Sequence, residues 1–296
     1  MSDVTATRDP HEEEVRTALA AHPGTRSLAQ LPLVRVRGGL SNHAWRADLE
    51  DRSYFVRLGG PDAADLGVDR RSECVLLGSA AAAGLSPAVV ACEPGHDLLV
   101  TQFVRGRTWR REDAHEPRNL ARIGAALRTL HRLPPQPGVR RISFRDQARR
   151  LEAQLAAAEA AEPALRRVVD PAFEMLSGRD GRAALCHNDL HHLNLLDDGD
   201  RLWLVDWEYG GCGDPLFDLA SFLCQHETAP REREALLDAY GDPEGTSAAL
   251  AQAACSAFDY VQWLWYRLWV ARNPGTSGEY ARRAAAVARR LLAEQA

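Results

Sequence analysis

Hydrophobic and polar positions change their period along this chain, and each change predicts an element. Residues 11–22 repeat apolar side chains at helical intervals and stop at Pro23-Gly24. Alternation takes over in Leu33-Val34-Arg35-Val36-Arg37, from His43 to Leu49, and in Tyr54-Phe55-Val56-Arg57-Leu58 before Gly59-Gly60-Pro61. A period of two predicts strands, and connections of hairpin length predict antiparallel pairing. Helical spacing returns from Arg70 to Ala83, and Leu98 to Val104 again reads as strand. The order β-β-β-α-β predicts a small antiparallel sheet carrying one helix. Beyond Gly106 the pattern is mainly helical, as at Leu120, Ile123, Leu127 and Leu130. The stretch 148–176 reads as helix broken near Pro163 and Asp170-Pro171, and 219–294 as further helices. A dense polar block, 185–218, interrupts the helical part. The expected fold is α+β and bilobal, with a β-rich lobe at 1–104 and a larger helical lobe at 105–296.

Composition narrows the function classes. The chain has 296 residues, a formal charge of −5, 45% hydrophobic and 26% charged residues, and a pI near 6.1. These are ordinary values for a globular protein, and the mixing of both signs argues against a nucleic-acid footprint. All 36 basic side chains are arginine, since the sequence contains no lysine. A Schiff-base lysine and a P-loop lysine are therefore excluded, as is the strand lysine of a protein kinase. The six cysteines, at 74, 92, 186, 212, 224 and 255, show no C-x-x-C spacing and are expected as reduced, mostly buried thiols. Residues 74–92 carry no charge, but Gly84, Ser86 and Pro87 break the run, predicting a buried helix, a loop and a strand and not a membrane span. Met1-Ser2-Asp3-Val4 leads into Glu12-Glu13-Glu14, the wrong chemistry for a signal peptide, so a cytoplasmic protein with no membrane partner is expected.

The block 186–207 holds the strongest signal. Asp189 and Asn194 stand five apart, and an apolar pair follows Asn194. Asp206 follows a second apolar run, Leu202 to Val205, with the turn Asp197-Asp198-Gly199-Asp200 between the two. Pairing of these runs as a hairpin brings Asn194 beside Asp206, with Asp189 just upstream. Oxygen ligands then converge as a hard divalent cation requires, and one carboxylate stays free to meet a hydroxyl.

This spacing resembles the kinase catalytic loop H-x-D-x-x-x-x-N followed by a metal-binding aspartate. In that likeness Asp189 orients the acceptor hydroxyl and takes its proton, Asn194 and Asp206 hold Mg²⁺, and His187 orients the loop. Gly38-Gly39-Leu40-Ser41-Asn42 lies between two predicted strands, where Gly39, Ser41 and Asn42 are placed to meet phosphate oxygens. Arg57 takes the position of the missing lysine, with Glu73 on the next helix as its partner. Gln102-Phe103-Val104 is the interlobe linker, where the backbone of Gln102 and Val104 meets the adenine edge.

A narrower resemblance rests on Leu204-Val205-Asp206-Trp207-Glu208-Tyr209, on Asp214-Pro215, and on Phe217-Asp218-Leu219-Ala220. With the glycine loop, Arg57 and His187-Asn188-Asp189, these segments resemble the choline/ethanolamine kinase group of the aminoglycoside-phosphotransferase-like superfamily. The resemblance spans roughly 33–270. It implies a kinase-like fold, ATP, Mg²⁺ and a small hydroxyl-bearing acceptor, and it implies that Asp218 braces the catalytic loop. That group commonly has arginine in place of the strand lysine.

For the acceptor, Tyr260, Trp263, Trp265, Tyr266 and Trp269 crowd one predicted helix. Aromatic faces attract a quaternary ammonium by about 0.5–2 kcal/mol each. A helix packed into the core on both faces has the same pattern. One departure stands out: Gln225 follows Phe222-Leu223-Cys224 where choline kinases carry glutamate. The anionic side of the pocket then falls to Glu208 or Glu227, or the substrate differs. Thiamine, an aminoglycoside or a sugar alcohol are alternative acceptors, and a silent kinase-like binding module is the alternative from another class. From Asp259 onward three acidic residues face six arginines, which disfavours a polycationic aminoglycoside. Oligomeric state is not readable from the sequence.

Overall fold

The computed structural model describes residues 11–36, 42–60, 63–155, 162–179, 181–241, 246–275 and 278–293. A five-stranded sheet occupies the N-terminal third, built from β1 (Leu33–Val36), β2 (Asn42–Leu49), β3 (Arg52–Gly59), β4 (Val89–Glu93) and β5 (Leu98–Gln102). The spatial order is β1-β2-β3-β5-β4, and every pair is antiparallel. The uncharged run 74–92 thus supplies a fifth strand, one more than the β-β-β-α-β pattern predicts.

Helix α1 (Glu12–Ala21) covers one face of this sheet with Val15 and Leu19, against Trp45, Val56, Leu58, Leu98 and Val100. Side chains alternate across a strand, so Val56 and Leu58 facing that core turn Arg57 to the other face. There α2 (Arg70–Ala82) waits, started by Asp69, whose carboxylate accepts from the amides of Arg71 and Ser72. Glu73 begins a buried stripe continued by Leu76, Leu77 and Ala80. Those residues join the large core of the C-terminal part, so α2 is packed between the sheet and the helices.

The expectation of six reduced cysteines is overturned at one pair: Cys74 on α2 and Cys92 on β4 form a disulfide. The short turn between helix and strand brings their Cα atoms to 5.6 Å, within the range a disulfide spans. A sequence separation of 18 gives no sign of that approach. The other four cysteines are buried thiols.

The C-terminal part contains α3 (Pro117–His131), α4 (Phe144–Gln154), α5 (Pro163–Ser177), α6 (Leu216–Gln225), α7 (Pro230–Tyr240), α8 (Ala248–Arg272) and α9 (Gly278–Ala293). Pro171 sits inside α5 without ending it. Short strands decorate this body: β6 (Arg107–Thr108), β7 (Arg141–Ile142), β8 (Ala184–Cys186), β9 (Leu195–Asp197), β10 (Leu202–Leu204) and β11 (Gly211–Gly213). The predicted hairpin is present as β9–β10, with Leu195 opposite Leu204. Its acidic turn is closed by Asp198, whose Oδ1 accepts from the amides of Asp200 and Arg201. No helix among the described residues is long and apolar enough to cross a membrane.

Candidate active site

Strand β8 delivers the chain into the loop 187–194, and α6 holds that loop from beneath. Asp218, wholly buried in the first turn of α6, accepts from the amide of His187 at 3.0 Å and from that of Asn188 at 2.6 Å. His131 completes its shell at 3.0 Å. Ser221, one turn further, accepts from the Leu190 amide at 2.8 Å. The His187 ring bridges the loop to the hairpin, with Nε2 2.9 Å from the Val205 carbonyl and Nδ1 taking the Asp189 amide at 3.3 Å. Burial lowers its pKa, so the ring is neutral, with its proton on Nε2. The trio His131, Cys186 and Asp218 is close enough to suggest a metal. Here the Asp218 oxygens are already taken by two amides and an imidazole, and burial pushes the Cys186 thiol up, so it stays protonated.

Asn194 donates through Nδ2 to the Asp189 carbonyl at 2.9 Å and to its carboxylate at 3.1 Å, which turns the amide oxygen away from Asp189. The Val205 amide meets the Asn194 carbonyl at 3.0 Å, so the hairpin places Asn194 beside Asp206. Asn188 and Asp206 both have left-handed backbones, with φ of 66° and 64°. Such conformations cost energy and concentrate at functional sites.

Across the cleft, Arg57 and Glu73 form a buried two-pronged pair at 2.6 and 2.7 Å. Arg57 also reaches Asp206 at 3.4 Å, linking the sheet to the hairpin. Arg70, one helical turn before Glu73, donates to Glu73 at 2.9 Å, to Glu208 at 3.1 Å and to Asn42 at 2.9 Å. Asn42 donates in turn to Glu208 at 2.9 Å. Four carboxylates (Glu73, Asp189, Asp206, Glu208) therefore share the cleft with two guanidiniums, an excess of two negative charges. Burial, followed by the charge of Glu208, pushes the Asp206 carboxyl up to about 7, with Arg57 pulling the other way. Burial also works to raise Asp189, but the neighbouring His191, 3.5 Å away, brings that carboxyl below its ordinary value. This all-oxygen, doubly negative donor set suits a hard divalent cation. The buried Arg57 Nε, which has no protein partner, leaves a donor for an anionic ligand.

The aromatic side of the cleft comes from α8 and α9. Trp265 and Trp269 stack at 5.5 Å, and Tyr280 meets both at 5.9 and 5.4 Å and Tyr266 at 5.7 Å. Tyr266 lies within the field of Asp189, and Tyr209 lies beside Trp265 within the fields of Glu208 and Asp189. Tyr266 and Tyr209 thus lie within electrostatic reach of the Asp189 carboxylate. The indole nitrogen of Trp269 is buried without an acceptor.

The residues singled out in the sequence divide by place. His187, Asp189, Asn194 and Asp218 form one connected hydrogen-bonded unit, tied to the hairpin through Val205, and the next residue, Asp206, bonds to Arg57, which Glu73 holds. Gly39 and Ser41 lie outside the described residues. Gln102 ends β5 with its amide on the Ala88 carbonyl, and Val104 lies two residues on in the crossing to β6. Trp265, Tyr266 and Trp269 join the aromatic group, whereas Trp263 turns the other way and stacks on Tyr260 in the core. Glu208 faces Arg70 and Asn42, not the aromatic rings. Glu227 is 71% exposed at the end of α6 and has Arg290 at 3.8 Å. Sequence reasoning missed Arg70, although its i, i+3 spacing from Glu73 is a readable signal. It also missed Tyr280 and Arg283, which have no sequence signal because α9 meets the cleft only through tertiary packing.

A small antiparallel sheet over a helical body, with an Asp-Asn-Asp hairpin below a buried arginine–glutamate pair, defines a kinase-like phosphotransferase fold. The family model of the phosphotransferase enzyme family matches residues 32–253, and the chain belongs to that family. A choline/ethanolamine kinase family protein from Mesorhizobium loti superposes with a TM-score of 0.75 and 28% identity, over 95% of this chain and 93% of that one. The choline kinase LicA of Streptococcus pneumoniae shares the fold, with a TM-score of 0.79 over 97% of this chain and all of that one at 19% identity. Protein LicA of Haemophilus influenzae is 33% identical over 116 residues, 37% of this chain. The match spans 43% of that relative, less than half its length.

Proposed function

We propose that this protein transfers the γ-phosphoryl group of ATP to the hydroxyl of a small cationic amino alcohol, choline or ethanolamine. The observation that carries the reading is the position of Asp189. Its carboxylate is held between Asn194 and His191, with its pKa lowered by His191, and Tyr266 of the aromatic group lies within its electrostatic reach. Relatives that bear choline kinase and ethanolamine kinase names support the same class of acceptor.

In this reading the acceptor hydroxyl hydrogen-bonds to Asp189. Its oxygen attacks the γ-phosphorus in line, the proton passes to the carboxylate, and the bond to the leaving ADP oxygen breaks. Arg57, held by Glu73, clamps phosphate oxygens. Gly39, Ser41 and Asn42 contact the same oxygens, and the backbone of Gln102 and Val104 meets the adenine edge. Asn194 and Asp206 would hold Mg²⁺, which when bound would supply electrostatic stabilisation of the charge on the transferring phosphoryl group. His187 and Asp218 fix the loop and touch no substrate. Trp265, Trp269 and Tyr266 present ring faces to the ammonium. Arg283 lies over Tyr280 at 5.3 Å and pairs with Glu279, so this wall already carries a guanidinium, which disfavours a polycationic aminoglycoside. The division into lobes at 1–104 and 105–296, with the cleft between them, belongs to the same proposal. So does a cytoplasmic location, where ATP is supplied; the Cys74–Cys92 bond points the other way, and cell fractionation decides.

Mg²⁺-dependent ATP consumption with choline, ethanolamine, thiamine and an aminoglycoside tests the reading. Turnover is expected with choline or ethanolamine. Turnover with thiamine alone overturns the acceptor, and no turnover above an Asp189→Asn control overturns the catalysis.

A further inference from the structure

Helix α2 is tied to two parts of the molecule by different means. By packing it belongs to the helical body, since Leu76, Leu77 and Ala80 lie in the large core. From the sheet that core takes in Leu99, with Val89 and Cys92 at its margin. Among the described residues, the core on the other face of the sheet contains nothing from α2. Polar and covalent ties complete the joint with the sheet. Glu73 grips Arg57 of β3 at 2.6 and 2.7 Å, and Arg70 reaches Asn42 of β2 at 2.9 Å and Asp97 before β5 at 3.2 Å. Cys74 is bonded to Cys92 of β4.

The covalent tie is the one that redox chemistry can cut. Cys74 directly follows Glu73, so the bond fixes the stretch of backbone that carries the partner of Arg57. Both bonded cysteines are half-buried, whereas the other four are buried. The far end of the bond lies on an edge strand: β4 pairs with β5 alone, and the register between them shifts between Val89 and Ala91. A strand held from one side opens locally at low cost. In kinase-type sites the strand cation and the helix glutamate must both be in place, and the position of that helix controls activity.

We propose that the Cys74–Cys92 disulfide is a redox switch on nucleotide binding. Oxidised, it holds α2 where Glu73 presents Arg57 to the phosphates; reduced, it releases α2 from β4 and weakens that grip. The nucleotide part rests on the phosphotransfer reading above. The reductant is a soluble dithiol. One of its thiolates attacks a sulfur of the disulfide, a mixed disulfide forms, and its second thiolate displaces the cysteine still attached. Two electrons pass to the cysteines, which take up two protons and end as thiols, while the dithiol closes to its own disulfide.

Calorimetric titration of the full chain with Mg²⁺-ADP tests the switch before reduction by dithiothreitol, after it, and again after reoxidation. Thiol titration confirms that the bond has opened. Reduction is expected to weaken binding about fivefold or more, the lower end of coupling between sites, and reoxidation to restore it. The double variant Cys74→Ser/Cys92→Ser is expected to bind like the reduced protein in either buffer. Hydrogen exchange follows α2 without nucleotide: amides 72–77 are expected to exchange faster after reduction, while those of α8 stay unchanged and show that the fold is intact. Equal affinity in the two redox states overturns the switch, as does a response to dithiothreitol that persists in the double variant. Absence of nucleotide binding in both states overturns the phosphotransfer reading, whereas unchanged exchange at 72–77 overturns the lock on α2, so the two failures are distinguishable.

Discussion

The loop and hairpin around Asp189 and the aromatic group of α8 and α9 are built on opposite principles. Every amide from His187 to Leu190 has a named partner: Asp218 twice, the His187 ring, and Ser221. The wall is held by ring contacts between 5.4 and 5.9 Å and keeps an unpaired indole nitrogen at Trp269. Proton and phosphoryl transfer require atoms fixed to fractions of an ångström, which hydrogen bonds to the backbone provide. Recognition of a diffuse cation through ring faces tolerates looser geometry. In the proposed reading, the difference separates what is needed for chemistry from what selects the acceptor.

The sharpest test of that separation is Asp189→Asn. The loop is braced without this carboxylate, so kcat is expected to fall about 10²–10⁴-fold with no change in melting temperature. A comparable loss of stability would mean that the carboxylate is itself part of the brace. Asp218→Ala addresses the brace from the other side. Removing a buried carboxylate that serves two amides and an imidazole is expected to cost about 3–5 kcal/mol in urea unfolding. A variant that unfolds like the parent protein would show that α6 does not hold the loop. The α2 anchor should be less sensitive: Cys92→Ser, or reduction of the parent, is expected to lower unfolding free energy by about 3 kcal/mol, as loop closure over a stretch of this length implies. No difference between oxidised and reduced protein would remove the disulfide from the account of stability.

Trp269→Ala should raise the acceptor KM by a factor of about 5–30 while kcat stays within twofold, since ring–ammonium attraction is about 1–2 kcal/mol in a dry site. A fall in kcat instead would join the wall to the chemistry. The smallest effect is expected from pH. Asp206 titrates near 7 when folded and near 3.9 when unfolded, so the native chain holds an extra proton between those values. Its contribution to stability is complete below about pH 4 and is lost as pH rises through 7. With metal removed by chelation, melting should therefore be lower at pH 8 than at pH 6 by a few degrees, and Asp206→Asn should flatten that slope. An unchanged slope would place the proton elsewhere.

Much of the catalytic side was legible because its parts are close in sequence. Asp189, Asn194 and Asp206 fall within 18 residues, and the apolar runs between them specify a hairpin whose register follows from its turn. Arg57 was legible through alternation, since Val56 and Leu58 could not share its face. Trp263, Trp265 and Trp269 could not be told apart by the same means. A helix whose polar residues are scattered around it has no continuous polar side to mark its orientation, and only its packing shows that Trp263 stacks on Tyr260 while the other two meet Tyr280. Glu208 stood out in the sequence as a candidate acid for the acceptor pocket, but its partners, Arg70 and Asn42, lie 138 and 166 residues away and were not legible.

By itself, then, the sequence determined the periods, the hairpin and the spacing of the oxygen ligands, and through the absence of lysine it required arginine wherever phosphate had to be held. Those are short-range properties, set by backbone geometry over a few residues. The tertiary structure alone decided which cysteines meet and which tryptophans join the ring cluster with Tyr280. Each depends on the approach of segments tens of residues apart, and that approach is chosen by burial of the whole core, which no local pattern encodes.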